Sequence, residues 1–249
     1  MVRRIGHPGI YLLPNLFTTS SLFAAFYSII ASLKNHFVTA VIAIFIGMVA
    51  DGLDGRIARL TNTQTAFGAE YDSLSDMVTF GVAPSILIYC WTLQFQGKFG
   101  WLVAFVYTAA VALRLARFNT QLEIADKRYF QGLACPSAAA LMASWVWLCH
   151  EYHLDSLVIP YITMFFGVVL SLLMVSNIRY HSFKQFDLKG KVSFLTILMV
   201  VIIFVAVASN PATVLFLIAF SYAVSGPAQT LFIRHKMRLM RRKIVKKNA

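Results

Sequence analysis

Acidic residues are scarce in this sequence, which has 10 Asp and Glu residues among 249, against 22 Lys and Arg residues. Charged residues make up only 13% of the chain, whereas 59% of it is hydrophobic. A water-soluble domain of this size needs a more strongly charged surface than that. The composition therefore excludes a soluble domain of useful size.

Cysteine is also scarce. The three residues, Cys90, Cys135 and Cys149, lie far apart in or beside apolar segments, without the paired spacing of a zinc site. We expect each to be a small packing residue. A cleavable leader is not indicated either, because MVRRIGHPGIYLLPN lacks a short apolar core before a small-residue cleavage site. The first apolar run is therefore expected to be a retained membrane span.

Long apolar runs are what the chain has instead. They extend for about 20 residues, enough to cross a hydrocarbon core of roughly 30 Å, and they are continuous rather than alternating. The expected fold class is therefore all-α, a polytopic membrane protein with about eight transmembrane helices in a single domain, residues 1–249. The expected helices are 12–33, 36–60, 70–95, 99–119, 132–150, 156–177, 191–209 and 212–233. The last division stays open, because Asn210 and Pro211 can instead kink one long segment.

The positive charges support this arrangement. If the amino terminus is cytoplasmic, only Lys34 and Lys98 of the 22 Lys and Arg residues fall in outside segments. The positive-inside rule then predicts eight spans with both termini in the cytoplasm. The sequence thus indicates a protein integral to the membrane, in the inner membrane if the source is bacterial.

A basic segment, residues 234–249, follows the last predicted span and contributes to a net charge of +12. Such charge can attract nucleic acid, but Lys and Arg clusters directly after a span typically meet anionic membrane lipids, at about 1 kcal/mol each. We expect anionic lipids as the partner of this segment and no nucleic acid.

The few acidic residues are concentrated in DGLDGRIARLTNTQTAFGAEYDSLSD, residues 51–76, which holds five of the ten. Asp51 and Asp54 are three residues apart at the inner end of the second span, and Asp72 and Asp76 are four apart in the next helix. A short break between the two helices makes a hairpin, residues 36–95. We expect it to bring the four carboxylates together near the cytoplasmic surface.

Four carboxylates at a low-dielectric boundary repel each other, so either some are protonated or a cation neutralises them. All-oxygen ligation suits Mg²⁺ or Mn²⁺, with Ca²⁺ possible, and the lack of a nearby His or Cys pair argues against zinc. Four aspartates can hold two divalent ions and leave positions open for phosphate oxygens. Arg59 can bind the same phosphate, and Gly55 and Gly68 allow a bulky ligand to approach the backbone.

The spacing of these residues resembles the signature of the CDP-alcohol phosphotransferase family, with every fixed position filled. The resemblance implies that Asp51, Asp54 and Asp72 are metal ligands and that Asp76 is both a ligand and the catalytic base. It also implies a homodimer and transfer from a CDP-activated donor to an alcohol, with release of CMP. The implied CDP-binding residues are Gly55, Ala58, Arg59 and Gly68, with Asn15 and Thr18 of LPNLFTT as weaker members. For Pro14 and Asn15, a role in starting the first helix remains an alternative.

Three further stretches, SDMVTFGVAPS, ALRLARFN and FQGLACPSAA, resemble the phosphatidylserine synthase branch of the family. This implies CDP-diacylglycerol and L-serine as substrates. Arg114 or Arg117, with Asn119 beside them, can bind the serine carboxylate, although both arginines also fit the positive-inside rule. One departure from the branch is Ala134, where a proline is common.

Alternatives remain at this point. A sister enzyme can use glycerol 3-phosphate, an inositol compound or choline as the acceptor alcohol. A cation transporter would place carboxylates near mid-membrane on several spans, rather than at the ends of two. A non-catalytic scaffold would leave the aspartate spacing unexplained.

Overall fold

The computed structural model describes residues 12–61, 63, 65–121, 129–154, 156–181 and 194–247. These residues are helical apart from turns and one short pair of strands, which confirms the all-α expectation. In chain order the elements are α1 Leu12–Leu33, α2 Phe37–Thr61, α3 Ala66–Asp76, a π-helix Met77–Val82, α4 Ala83–Trp91, a 3₁₀ turn Leu93–Gln96, α5 Gly97–Gln121, β1 Tyr129–Gln131, α6 Cys135–Glu151, α7 Ile159–Val175, β2 Arg179–His181, α8 Phe194–Ser209 and α9 Pro211–Lys247.

Five stretches of the described chain are long and apolar enough to cross a membrane, so the protein is integral to it. They are Pro14–Leu33, Phe37–Thr61, Ala66–Trp91, Leu93–Thr120 and Pro211–Thr230. The other three expected spans are present as shorter helices, with 17 residues in α6, 17 in α7 and 16 in α8. The count of eight spans therefore stays a prediction.

α8 and α9 are separate helices that are interrupted at Asn210, where the sequence also allowed a single kinked helix. The Asn210 side-chain oxygen accepts a hydrogen bond from the Thr213 backbone N–H at 3.1 Å, and Pro211 is the first residue of α9. Both residues favour a helix start, because Asn caps free N–H groups and Pro has none. α9 then continues to Lys247, well past residue 233, so most of the basic segment is helical.

The third predicted helix is shifted and divided. α3 begins at Ala66, four residues earlier than expected, because the Thr65 hydroxyl accepts the Gly68 N–H at 2.9 Å and caps the helix. After Asp76 the chain widens into the π-helix, in which the Ala83 N–H bonds the Val78 carbonyl. Pro84 accounts for this, since in a regular helix its ring would clash with the carbonyl four residues earlier.

The core is built from the mutually packed faces of α1, α2, α4, α5, α6, α7 and α9. α6 is central, and α1 packs along α2. Large side chains without exposed surface fill the interior, among them Phe80, Leu87, Tyr107 and Met142. α3 packs against α1 and continues into the π-helix, whose residues Thr79, Phe80 and Gly81 are buried, and these contacts position the polar groups described below.

The two strands anchor the chain to α9. Tyr180 of β2 lies opposite Phe130 of β1, and its hydroxyl donates to the Ala223 carbonyl at 3.0 Å. Pro227 lacks the N–H that would normally bond this carbonyl, so Tyr180 supplies the missing donor. Gly226 leaves room for the ring, since a Cβ there would come within 2.3 Å of it. Burial raises the pKa of Tyr180 to about 12, which keeps the hydroxyl a donor at neutral pH.

Candidate metal and nucleotide site

Three of the four predicted aspartates meet in one cluster. Asp51 comes from the second half of α2, and Asp72 and Asp76 are one turn apart on α3. One carboxylate oxygen from each lies within 4.8 Å of the other two. The helical hairpin thus brings these carboxylates together as the spacing predicts.

The cluster fits a divalent cation. Within the described part of the chain, Asp72 Oδ1 and Asp76 Oδ1 are buried side-chain oxygens with no hydrogen-bond partner. Leaving a buried polar atom unpaired costs about 1–3 kcal/mol, and more when the group is charged, so such atoms need a partner that the protein does not itself supply. Oxygen ligands of this kind match Mg²⁺, Mn²⁺ or Ca²⁺.

Asp54 is the fourth predicted ligand, and it has an additional partner. Its Oδ2 atom accepts a hydrogen bond of 2.7 Å from the Thr18 hydroxyl of α1, and both residues are buried. Ser75 of α3 donates to the Thr18 carbonyl at 3.2 Å, so three helices meet here. Asp54 interacts electrostatically with Asp51 and Asp72, which places it beside the cluster of three. Thr18, predicted to contact nucleotide, therefore also orients a carboxylate.

A cavity of about 320 Å³ opens next to the aspartates, between α1, α2 and α3. All six predicted CDP-binding residues line it, and these are Asn15, Thr18, Gly55, Ala58, Arg59 and Gly68. Asp54 and Asp72 belong to the same wall, so the cavity reaches the aspartates directly. The sequence predicts no nucleotide-binding role for the other four lining residues, Pro14, Thr63, Thr65 and Ala69. Only Thr65 gives a local signal, as a capping residue before a helix.

Small residues shape this cavity. A Cβ on Gly68 would lie 3.1 Å from the Thr65 hydroxyl and 3.5 Å from the Asn15 side-chain oxygen, so a side chain at this position would crowd the hydroxyl that caps α3 at the cavity wall. Arg59 Nε donates to the Gly55 carbonyl at 2.7 Å. This bond uses one of five guanidinium N–H donors, and Arg59 is otherwise exposed at the cavity wall.

The three residues predicted to bind the acceptor have different surroundings. Arg117 donates to the Val175 carbonyl and to the side chains of Gln131 and Asn177, and so ties α5 to the segments around both strands. Asn119 donates to the Ser73 hydroxyl on α3 at 3.0 Å.

Arg114 differs from both. Its Nη1 atom donates to the Cys135 thiol at 3.2 Å, while its buried Nε has no partner among the described residues. A thiol is a weak acceptor, so the charge of Arg114 is poorly compensated.

Comparison with known proteins agrees with these features. Residues 11–224 match the CDP-alcohol phosphatidyltransferase family. A CDP-diacylglycerol–serine O-phosphatidyltransferase of Helicobacter pylori (strain ATCC 700392 / 26695) is 38% identical over 228 residues, which cover 92% of this chain and 94% of the relative. A protein of the same name from Methanocaldococcus jannaschii is 33% identical over 167 residues, 67% of this chain and 76% of the relative. Another, from Saccharomyces cerevisiae, is 38% identical over 134 residues, 48% of each chain.

Proposed function

This chain belongs to the CDP-alcohol phosphatidyltransferase family, and from that premise we propose that it transfers a phosphatidyl group from CDP-diacylglycerol to the hydroxyl of L-serine. The products are phosphatidylserine and CMP. The observation that carries this proposal is the cluster of Asp51, Asp72 and Asp76, which adjoins through Asp72 a cavity lined by the predicted nucleotide-binding residues. The names of the relatives support serine as the acceptor.

The family is generally dependent on divalent metal, and the aspartates are the proposed ligands. Asp51, Asp54, Asp72 and Asp76 would together hold two ions, Mg²⁺ or Mn²⁺. When bound, these ions would neutralise the diphosphate and the charge that grows on the leaving CMP. Thr18 holds the Asp54 carboxylate in one orientation, as hydrogen-bonded groups behind metal ligands commonly do.

The cavity between α1, α2 and α3 is the proposed site of the CDP group. Arg59 would bind the diphosphate, since a guanidinium forks onto phosphate oxygens. Gly55, Ala58 and Gly68 would let the nucleotide lie close to the helix backbones, and Asn15 would offer it an amide. The diacylglycerol part would remain in the bilayer.

Asp76 is the proposed general base. The serine hydroxyl oxygen forms a bond to the β-phosphorus that carries the diacylglycerol, the bond from that phosphorus to CMP breaks, and Asp76 accepts the hydroxyl proton. The electron pair of the broken bond leaves on the CMP phosphate. Asp76 suits this role because it lies on α3 one turn after Asp72, which lines the cavity, and belongs to the same carboxylate cluster.

Serine also needs a partner for its carboxylate, and Arg114 is the better of the two arginines. Arg117 donates hydrogen bonds to a backbone carbonyl and two amide side chains. Among the described residues, Arg114 donates a hydrogen bond only to the Cys135 thiol, and its Nε has no partner. Asn119 remains a candidate, as it lies on the same helix and bonds α3 beside Asp72. A sister enzyme acting on glycerol 3-phosphate, an inositol compound or choline is the alternative. Choline in particular would call for an aromatic cage.

The wider setting is proposed as well. Residues 1–249 would form one membrane domain with eight spans, both termini and the active site at the cytoplasmic face, and residues 36–95 as the catalytic hairpin. The family resemblance supports a homodimer. The basic segment at residues 234–249 would contact anionic lipids, since it follows directly on the apolar part of α9.

One assay tests the proposed function. Purified protein in detergent is given CDP-diacylglycerol and Mn²⁺ or Mg²⁺, with serine, glycerol 3-phosphate, inositol or choline supplied separately, and CMP release is measured. We expect release that requires both metal and serine. Release with another alcohol would keep the metal and nucleotide assignments and overturn the acceptor, while no release from folded protein would contradict the enzyme assignment.

A further inference from the structure

We propose that Tyr107 and Cys135 complete, with Arg114, a subsite that selects the carboxylate of a small amino acid acceptor. This proposal rests on the proposed function and names the part of the site that recognises the acceptor. Tyr107 is placed in it as a specificity-determining residue, and Cys135 as the group that holds Arg114 until the acceptor arrives.

The first observation is a set of buried polar atoms without partners. Among the described residues there are four such side-chain atoms: Asp72 Oδ1, Asp76 Oδ1, Tyr107 Oη and Arg114 Nε. The two carboxylate oxygens belong to the proposed metal ligands. The other two atoms belong to α5: Arg114 Nε carries a donor N–H, and the Tyr107 hydroxyl can donate or accept. A ligand that brings acceptor oxygens would satisfy both groups.

The second observation is that these two groups both interact with one residue, Cys135. Tyr107 and Arg114 are seven residues apart, about two turns, and so share a face of α5. Arg114 Nη1 contacts the Cys135 thiol at 3.2 Å, and Tyr107 interacts electrostatically with the same thiol. Asp76, the proposed base, interacts with that thiol as well. Cys135 therefore contacts Arg114 directly and interacts electrostatically with both Tyr107 and the proposed base.

The third observation concerns the helix that Cys135 begins. Cys135 is the first residue of α6, which has 17 residues; its capping residue Ala134 has no side-chain acceptor, and Pro136 has no N–H. The start of a helix carries partial positive charge. Tyr107 has no exposed surface, and its unpaired hydroxyl interacts with Cys135 at this helix start. A guanidinium, a phenol hydroxyl and a helix start together favour a carboxylate.

The chemistry of serine fits this arrangement. Its hydroxyl and its carboxylate are separated by only two carbon atoms, so a hydroxyl at Asp76 places the carboxylate close by, on the Cys135 side. The carboxylate takes Arg114 from the thiol, which is a far weaker acceptor, and then accepts a hydrogen bond from the Tyr107 hydroxyl. Choline, a cation, is repelled by Arg114, and inositol carries no anionic group for it.

The test removes the two interacting groups separately. On the protein, Tyr107→Phe removes only the Tyr107 hydroxyl. On the acceptor, ethanolamine lacks only the carboxylate of serine. Metal-dependent CMP release is measured with each acceptor for the wild type and for Tyr107→Phe. The matched control is Tyr161→Phe, at a tyrosine on α7 that is 61% exposed. The KM for CDP-diacylglycerol is measured in parallel to detect any general damage.

We expect Tyr107→Phe to raise the KM for serine about tenfold or more, because it loses a hydrogen bond to a charged group. The values of kcat and of the KM for CDP-diacylglycerol should change little, and so should kcat/KM for ethanolamine. An unchanged KM for serine overturns the proposal. An equal loss with serine and ethanolamine also overturns it, since that result assigns Tyr107 a merely structural role.

A second measurement separates this proposal from the proposed function. If the wild type releases no CMP with serine, the proposed function fails, and the subsite is then judged by thermal stabilisation of the purified protein by serine in the presence of Mn²⁺. Stabilisation that Tyr107→Phe abolishes supports the subsite. The absence of stabilisation in the wild type overturns it.

Discussion

Replacing Thr18 by Val tests whether a residue outside the metal cluster controls metal binding. The substitution keeps the shape of the side chain and removes the hydroxyl that donates to Asp54 Oδ2 at 2.7 Å. Both residues are almost fully buried, with 3% exposure for Thr18 and 5% for Asp54, and they meet at the wall of the cavity. A hydrogen bond to a charged group contributes about 1.5–3 kcal/mol. That range corresponds to a roughly 10- to 100-fold weaker metal affinity.

The assay is CMP release as a function of Mn²⁺ concentration at saturating CDP-diacylglycerol and serine. We expect Thr18→Val to shift the half-maximal Mn²⁺ concentration upward by about 10- to 100-fold and to recover much of its rate at high Mn²⁺. Thr18→Ser is the matched control, because it keeps the hydroxyl and should remain within a few-fold of the wild type. An unchanged Mn²⁺ midpoint would refute the reasoning. A rise in the KM for CDP-diacylglycerol alone would assign Thr18 to the nucleotide, as the sequence predicts.

Three further changes test other parts of the structure. Asp76→Asn should lower kcat by at least about 100-fold while the protein still elutes as a folded species in size-exclusion chromatography, because an amide cannot accept the hydroxyl proton; near-normal turnover would remove Asp76 as the base. Gly68→Ala should raise the KM for CDP-diacylglycerol several-fold, since its Cβ would meet neighbouring side chains at 3.1 and 3.5 Å. The control is Gly52→Ala, whose Cβ meets nothing within 4 Å and which should leave that KM unchanged. Equal effects of the two variants would contradict the cavity assignment. Tyr180→Phe should lower the melting temperature, because it leaves the buried Ala223 carbonyl unpaired and so reduces the free energy of unfolding by about 1–3 kcal/mol. An unchanged melting temperature would show that the carbonyl finds another donor.

The sequence was sufficient where the signal is local. Runs of apolar residues predicted helices, and most of the predicted helix ends lie within three residues of those observed. The spacing of Asp51, Asp72 and Asp76 predicted a cluster that α2 and α3 bring together. The early start of α3 was also signalled in principle, because Thr65 is a favourable capping residue, but the prediction placed the start at residue 70.

What the sequence could not provide depends on contacts between distant segments. Thr18 and Asp54 are 36 positions apart, and only the packing of α1 on α2 shows that their side chains meet. Arg114 and Arg117 look equivalent in ALRLARFN, yet Arg117 reaches Gln131 and Asn177 while Arg114 faces Cys135. Tyr107 carries no local signal at all, since a tyrosine in an apolar run is typical of lipid-facing helices as well.

The contact between Tyr180 and the proline-interrupted turn of α9 has a consequence for motion. Local opening that lifts β2 away must also leave the Ala223 carbonyl without a donor, so the two strands and this turn of α9 are expected to open as one cooperative unit. Tyr222, the neighbour of Ala223, interacts electrostatically with Arg114. Amide exchange in β2 therefore provides a distant reporter of order around Arg114: slower exchange on addition of serine would reveal acceptor binding through backbone groups that the acceptor does not touch.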